Sequence, residues 1–244
     1  MTVQEMHYDF KQKLNKIDSQ QNRNLRIPEI DWKLNEACEL FIKTIAEPRY
    51  SITDTLGFEK SQRNIDSIRT LVVYETSLQP LQKVNNKTFS AILPEDYMFY
   101  ISSKVYMKKL PCKEEREGVV ILRQHENDFE TNVFEESSFE WGEVNIKFIN
   151  EGILIFTDGT FDITNFKINY IRRPKYIHYA QGFSTSGYIL PSGTVLSGVQ
   201  HCELPEETHR EIVDIAVLLT SGDLSLADYQ MKQNKVINLN QINR

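Results

Sequence analysis

Cysteine is scarce in this chain of 244 residues: Cys38, Cys112 and Cys202 lie far apart and match no ligand spacing. A disulfide scaffold or a structural zinc module needs denser, paired cysteines, so buried free thiols in a reducing compartment are expected. The histidines, His7, His125, His178, His201 and His209, are equally scattered. Only His201-Cys202 with His209 forms a local group, and adjacent residues rarely both ligate one ion. No apolar run approaches the roughly 18–20 residues that span a bilayer, and the N-terminus lacks the charged-then-apolar layout of a signal peptide. There is no Gly-x-Ser-x-Gly elbow, P-loop or Gly-x-Gly-x-x-Gly. Asp158-Gly159 has no ladder of Asp or Asn around it and reads as a hairpin turn, not a calcium loop. A basic excess is missing too: the net charge of −6 argues against a dedicated nucleic-acid face. These absences leave no catalytic, cofactor-binding or metal-ligating residue to assign, and no cofactor to expect.

What is present is an ordinary globular composition, 25% charged and 40% hydrophobic, in a chain long enough for one large domain or two small ones. The clearest helix is Leu204 to Gly222. Pro205 suits a first helical position, Glu206, Glu207 and Glu211 put negative charge at the positive end of the dipole, and Gly222 is expected as a left-handed stop. Ile212, Ile215, Ala216 and Leu219, widened by Val213, Val217 and Leu218, make it apolar nearly all round, which predicts burial. A second, looser helix is expected from Asp223 to about Val236, followed by a frayed tail.

The N-terminal quarter is helical. Met6, Phe10, Leu14 and Ile17 form one stripe on a polar helix over residues 2–18. Pro28 opens a turn, Asp31 is expected to cap the helix Trp32–Ala46, and a short helix follows from Phe58 to Ile68. From Leu71 the period changes to two. Extended pieces are predicted at 71–74, 89–92, 101–108 and 119–122, with a short helix within 124–136. Residues 144–149, 153–156 and 166–171 then read as an antiparallel meander. Residues 176–203, rich in Gly, Ser and aromatics, read as an excursion. The fold class is therefore α+β: N-terminal helices (1–70), an antiparallel β body (71–203) with its excursion at 176–203, and a C-terminal helix pair with tail (204–244).

Candidate partner contacts are Met6, Phe10 and Leu14 on the first helix, Tyr179, Phe183 and Tyr188 on the excursion, and Leu239 and Ile242 in the tail. Arg172, Arg173 and Lys175, flanked by Tyr170 and Tyr176, are candidates for touching phosphate or an acidic subunit face.

Four strings carry a family likeness: Phe58-Glu-Lys-Ser-Gln-Arg-Asn-Ile-Asp-Ser-Ile-Arg-Thr-Leu71, Leu93-Pro-Glu-Asp-Tyr97, Gly159 to Pro174, and Cys202-Glu-Leu-Pro-Glu-Glu-Thr-His-Arg-Glu-Ile-Val-Asp-Ile-Ala216. Together they resemble the virion structural proteins of crAss-like tailed bacteriophages, in particular the head-to-tail ring (connector) proteins. The likeness covers most of residues 30–230. It implies a non-enzymatic subunit of a twelve-fold homo-oligomeric ring below the portal of a short tail. Such a ring would contact the portal protein and neighbouring tail ring or hub proteins, with genomic DNA passing through its lumen and no membrane involved. It also implies assembly in the bacterial host cytoplasm and residence at the portal–tail junction. A tail hub or second-tier ring is the alternative within that class. A tail-associated hydrolase and a DNA-binding module centred on Arg172, Arg173 and Lys175 are the alternatives outside it.

Overall fold

The computed structural model describes residues 1–14, 25–46, 62–109, 114–124, 135–184, 186–223 and 233. The expected helix beyond Asp223, the short helix within 124–136, Cys112, Leu239 and Ile242 lie outside these residues or largely so. The chain divides into two compact units, one of Met1–Leu71 with Pro174–Arg244 and one of Val72–Arg173.

The first unit is helical. Helix α1 (Val3–Leu14) begins at a reciprocal cap in which the Glu5 N–H donates to Thr2 Oγ1 (3.3 Å) and the Thr2 N–H donates to Glu5 Oε2 (2.8 Å). Its buried stripe is Val3, Met6, His7, Phe10 and Leu14. Helix α2 (Ile27–Ala46) starts earlier than the sequence suggests, because the Arg26 N–H is satisfied by the Glu29 carboxylate at 2.8 Å and Pro28 sits within the first turn, where no intrahelical partner is needed. Asp31 is therefore a helix-interior residue and not a cap. A short helix α3 (Gln62–Ile68) follows, and a 3₁₀ turn (Arg69–Leu71) ends this half of the unit.

After Pro174 the chain returns to the helical unit. Strand β9 (His178–Tyr179) pairs antiparallel with β12 (Val199–Gln200), and between them lie the single turn α4 (Ala180–Phe183) and the hairpin β10 (Tyr188–Ile189)–β11 (Val195–Leu196). Pro205 precedes a 3₁₀ turn, Glu206–Thr208, which leads into helix α5 (His209–Asp223). Gly222 lies inside α5 and has no positive φ, so it does not stop the helix. Helix α5 packs against both α1 and α2 through Ile212, Val213, Ala216, Val217, Thr220 and Ser221. Ile215, Leu218 and Leu219 are half-buried, so the burial is one broad face and not the whole circumference.

The second unit is one eight-stranded sheet. Its strands are β1 (Val72–Ser77), β2 (Leu81–Lys83), β3 (Thr88–Ile92), β4 (Tyr97–Lys109), β5 (Glu115–Leu122), β6 (Glu143–Ile149), β7 (Gly152–Phe156) and β8 (Phe161–Arg172). The order is β1-β8-β4-β5-β6-β7-β3-β2. The expected meander breaks after β7, which pairs with β3, while β8 crosses to pair with β4 and β1. All pairings are antiparallel except β5 with β6. The outermost strands, β1 and β2, are joined by Leu78, Gln79 and Pro80 alone, and consecutive Cα atoms are at most about 3.8 Å apart, so the two edges of the sheet approach within about 15 Å. The sheet thus curls back on itself, and its inner face is filled by Phe89, Val105, Met107, Ile146, Ile155, Phe161, Phe166 and Ile168. An eight-stranded curl has room for side chains and no more. Its outer face carries cross-strand ion pairs, Lys104 and Lys167 with Glu75 among them.

Candidate functional site

The geometry of the 176–203 excursion is set by a single buried carboxylate. Asp31, fully buried in the middle of α2's first half, accepts from His7 Nε2 (2.7 Å), from the Tyr188 hydroxyl (2.6 Å) and from the Tyr179 N–H (3.1 Å). One turn later Asn35 pairs with Ile177 like a strand neighbour: its side-chain amide donates to the Ile177 carbonyl (2.7 Å) and its oxygen accepts the Ile177 N–H (2.8 Å). A buried carboxylate is tolerated only when its lone pairs are filled, and here α1, α2 and the excursion each supply donors. Burial, reinforced by the adjacent Asp31 carboxylate, pushes the Tyr188 hydroxyl far above the ordinary tyrosine range, so it stays a proton donor. Nothing in sequence spacing links positions 7, 31 and 188, and Asp31 as a helix cap was the natural misreading.

The root of the excursion is fixed, and its far end is not covered. Tyr188 and Leu196 face inward beside Ala180, while Ile189 and Val195, direct cross-strand partners, are 67% and 64% exposed on the other face of the hairpin. Gly187 makes this fold-back feasible: its φ is +79°, and a Cβ there would lie 1.9 Å from the Leu196 carbonyl oxygen. Phe183, 45% exposed, stacks edge-on against Tyr188 at 5.5 Å. From Tyr176 to Gln200 the chain has no Asp, Glu, Lys or Arg. A surface arm without formal charge and with an exposed β-branched pair has the makeup of an interface centre, where charged residues are depleted.

Among the expected partner contacts, Met6, Phe10 and Leu14 are buried in the helical unit itself, because α5 covers their stripe. Tyr188 is buried on Asp31, and Tyr179 is half-buried with its ring edge-on to His7 at 6.0 Å. Phe183 remains open. The exposure of Ile189 and Val195 was not readable beforehand, because they sit among Gly, Ser and Pro, where an alternation of only two residues per strand is too short to register. The basic run is partly committed. Lys175 Nζ pairs with Glu203 at 3.2 Å and its N–H donates to the same carboxylate at 3.0 Å, while Arg172 Nη1 donates to the Arg173 carbonyl at 3.3 Å. Arg173 is exposed. This is a braced strand end with the Arg173 side chain exposed.

A groove of about 1070 Å³ runs along α1 and α5, lined by Glu5, Asp9, Glu206, Glu207, Glu211 and Asp214 among others, with the N-terminal amine on Glu206 at 3.0 Å. Among the described residues, no group of three or more His, Cys, Asp or Glu is placed to hold a metal ion, and no helix is long and apolar enough to cross a membrane.

A built framework with an uncovered, charge-free arm is a feature of a part in an assembly. The family model for phage tail ring protein 3/4, from the crAss-like phages, matches residues 1–234. The chain belongs to that family. It is a structural tail ring protein of the virion, and rings are built with other tail proteins. No curated protein matches the chain.

Proposed function

We propose that this tail ring protein closes into a ring around the DNA path of the tail, each copy reaching its neighbour with the charge-free arm of residues 176–200. The observation that carries this reading is the exposed pair Ile189 and Val195 on a hairpin whose root is bonded to Asp31. A closed ring repeats one heterologous contact, so one face must protrude and the other receive. A rigid arm loses little entropy on docking, and its apolar tip supplies the non-directional attraction. Because the curled β sheet is packed solid, a channel for DNA arises between copies and not through a subunit. An acidic balance of −6 suits a lumen along which phosphate slides, since attraction grows with the number of Lys and Arg contacts. Twelve copies remain the expected number, and Arg173 is the candidate contact with DNA or an acidic face.

One observation supports a lower tier over a connection to the portal. The matched family is described as a tail ring, which favours a tier with other ring proteins above and below it over a seat directly on the portal. Native mass spectrometry and negative-stain imaging of the purified chain, alone and with neighbouring tail proteins, test the ring. The wild type should form closed rings, and Ile189→Asp with Val195→Asp should give a folded, unassembled subunit. Intact rings from that double variant would refute the arm's role.

A further inference from the structure

We propose that the neighbouring copy receives the charge-free arm in an apolar notch on the outer face of its β unit, walled by Ile92 and Ile149 and floored by Gly152. This contact rests on the reading of the arm as the ring's protruding element, and it identifies the surface that the arm meets. Register builds the notch. Ile92 on β3 pairs with Gly152 on β7, and Gly152 pairs with Ile149 on β6, so the three stand in one cross-strand row. Their chain neighbours Ala91, Ile153 and Phe148 belong to the interior of the curl, which turns this row outward. Ile92 and Ile149 are 51% and 45% exposed although β3, β7 and β6 are all paired on both sides.

Two strand spacings separate the isoleucines, about 10 Å, and the glycine between them fills none of that width. An aliphatic side chain seated midway stands about 5 Å from each wall, close to the roughly 4.0–4.5 Å at which apolar side chains touch. Leu154, half-buried on the same face of β7, closes one end. Ile189 and Val195 are direct cross-strand partners, so one seats over Gly152 while the other lies along a wall.

Charge selects this surface. Other exposed apolar residues carry charges beside them: Trp32 and Leu40 share α2 with exposed Glu36, Glu39 and Lys43, and Val119 lies in register between Lys104 and Glu143. An arm without Asp, Glu, Lys or Arg has nothing to offer a charge that it desolvates. The notch row holds no charge. Lys147, one row away, places its Nζ over the Phe156 ring at 6.0 Å, on the side away from Ile149, and Glu151 sits in the adjoining turn outside the row.

The test is charge-pair rescue in the full chain, read by native mass spectrometry and negative-stain imaging with and without neighbouring tail proteins, with folding checked by circular dichroism. The arm variant is Ile189→Asp with Val195→Asp, and the notch variant is Ile92→Lys with Ile149→Lys. Each should raise the concentration at half assembly at least about tenfold, and the chain carrying all four changes should recover to within about threefold of wild type, because opposite charges then meet. Either lysine alone replaces the pair if the notch variant misfolds. Rings that survive the notch variant but not the arm variant would overturn the notch and leave the arm's role standing, as would a folded combined variant that does not recover. Loss of a neighbouring tail protein from rings that the notch variant otherwise keeps would give the notch to that protein and overturn its use by a second copy. Rings that survive the arm variant, or a wild type that closes no ring, would overturn arm and notch together.

Discussion

The two units of this chain solve the burial problem in opposite ways. The β unit is apolar inside: Phe161, Phe166, Met107 and Ile168 fill the curl, and its charges pair across strands on the outer wall. The helical unit places a carboxylate at its centre, with His7, Tyr188 and the Tyr179 backbone satisfying it. The first arrangement draws its stability from area removed from water and tolerates small changes of shape. The second makes three distant segments agree on one geometry, and a single missing partner leaves the others buried without one.

The sharpest way to break the comparison is Asp31→Ala. It strands the Tyr188 hydroxyl, the Tyr179 N–H and His7, and should cost about 3–5 kcal/mol. Hydrogen exchange should show protection lost in α2 and in residues 176–200 and kept in β4 and β8. Equal loss in both units would void the contrast. Next in size is Gly152→Ala in the β unit, where an added Cβ would lie 2.2 Å from the Ala91 carbonyl oxygen. The backbone must move, at about 2 kcal/mol, and denaturant midpoints should report it. Ile146→Val removes one methylene from the same core and should cost only about 1 kcal/mol.

Smallest of all is the outer wall. Lys167 and then Lys104 hold the exposed Glu75 carboxyl below the ordinary glutamate range. A depressed carboxylate contributes stability that is present above the unfolded-state value and is lost as pH falls through the folded-state value. Glu75→Gln should therefore flatten the acid limb of a stability–pH curve slightly and leave neutral-pH stability within measurement error, more so in high salt. A large loss at neutral pH would show that the outer wall, and not the apolar interior, holds the β unit.

How much of this was legible in the sequence follows the same division. Strands β4, β6 and β8 announce themselves by alternation, because one face of the curl is apolar, and β7 by a short apolar run. Their pairing does not: the parallel β5–β6 contact and the crossing of β8 to β4 and β1 depend on tertiary closure, which no local period encodes. In the helical unit the apolar stripes of α1, α2 and α5 were readable. The start of α2 was not, since Glu29 caps Arg26 from inside the helix, and Asp31 then looked like a cap five residues too late. Phe183, singled out for its aromatic character, is exposed. Met6, Phe10 and Leu14 were assigned outward although α5 covers them, because a stripe on one helix does not say which surface will cover it. The family, by contrast, was carried by four residue strings and agrees with the match over residues 1–234.

The central claim is that the arm joins neighbouring copies in a tail ring. A side-chain-resolution reconstruction of the virion tail tests it most directly. The account predicts a closed ring of this chain around the DNA path, with Ile189 and Val195 seated against the adjacent copy. A ring in which that hairpin faces solvent, or a chain that occurs in the tail without forming a ring, would contradict it.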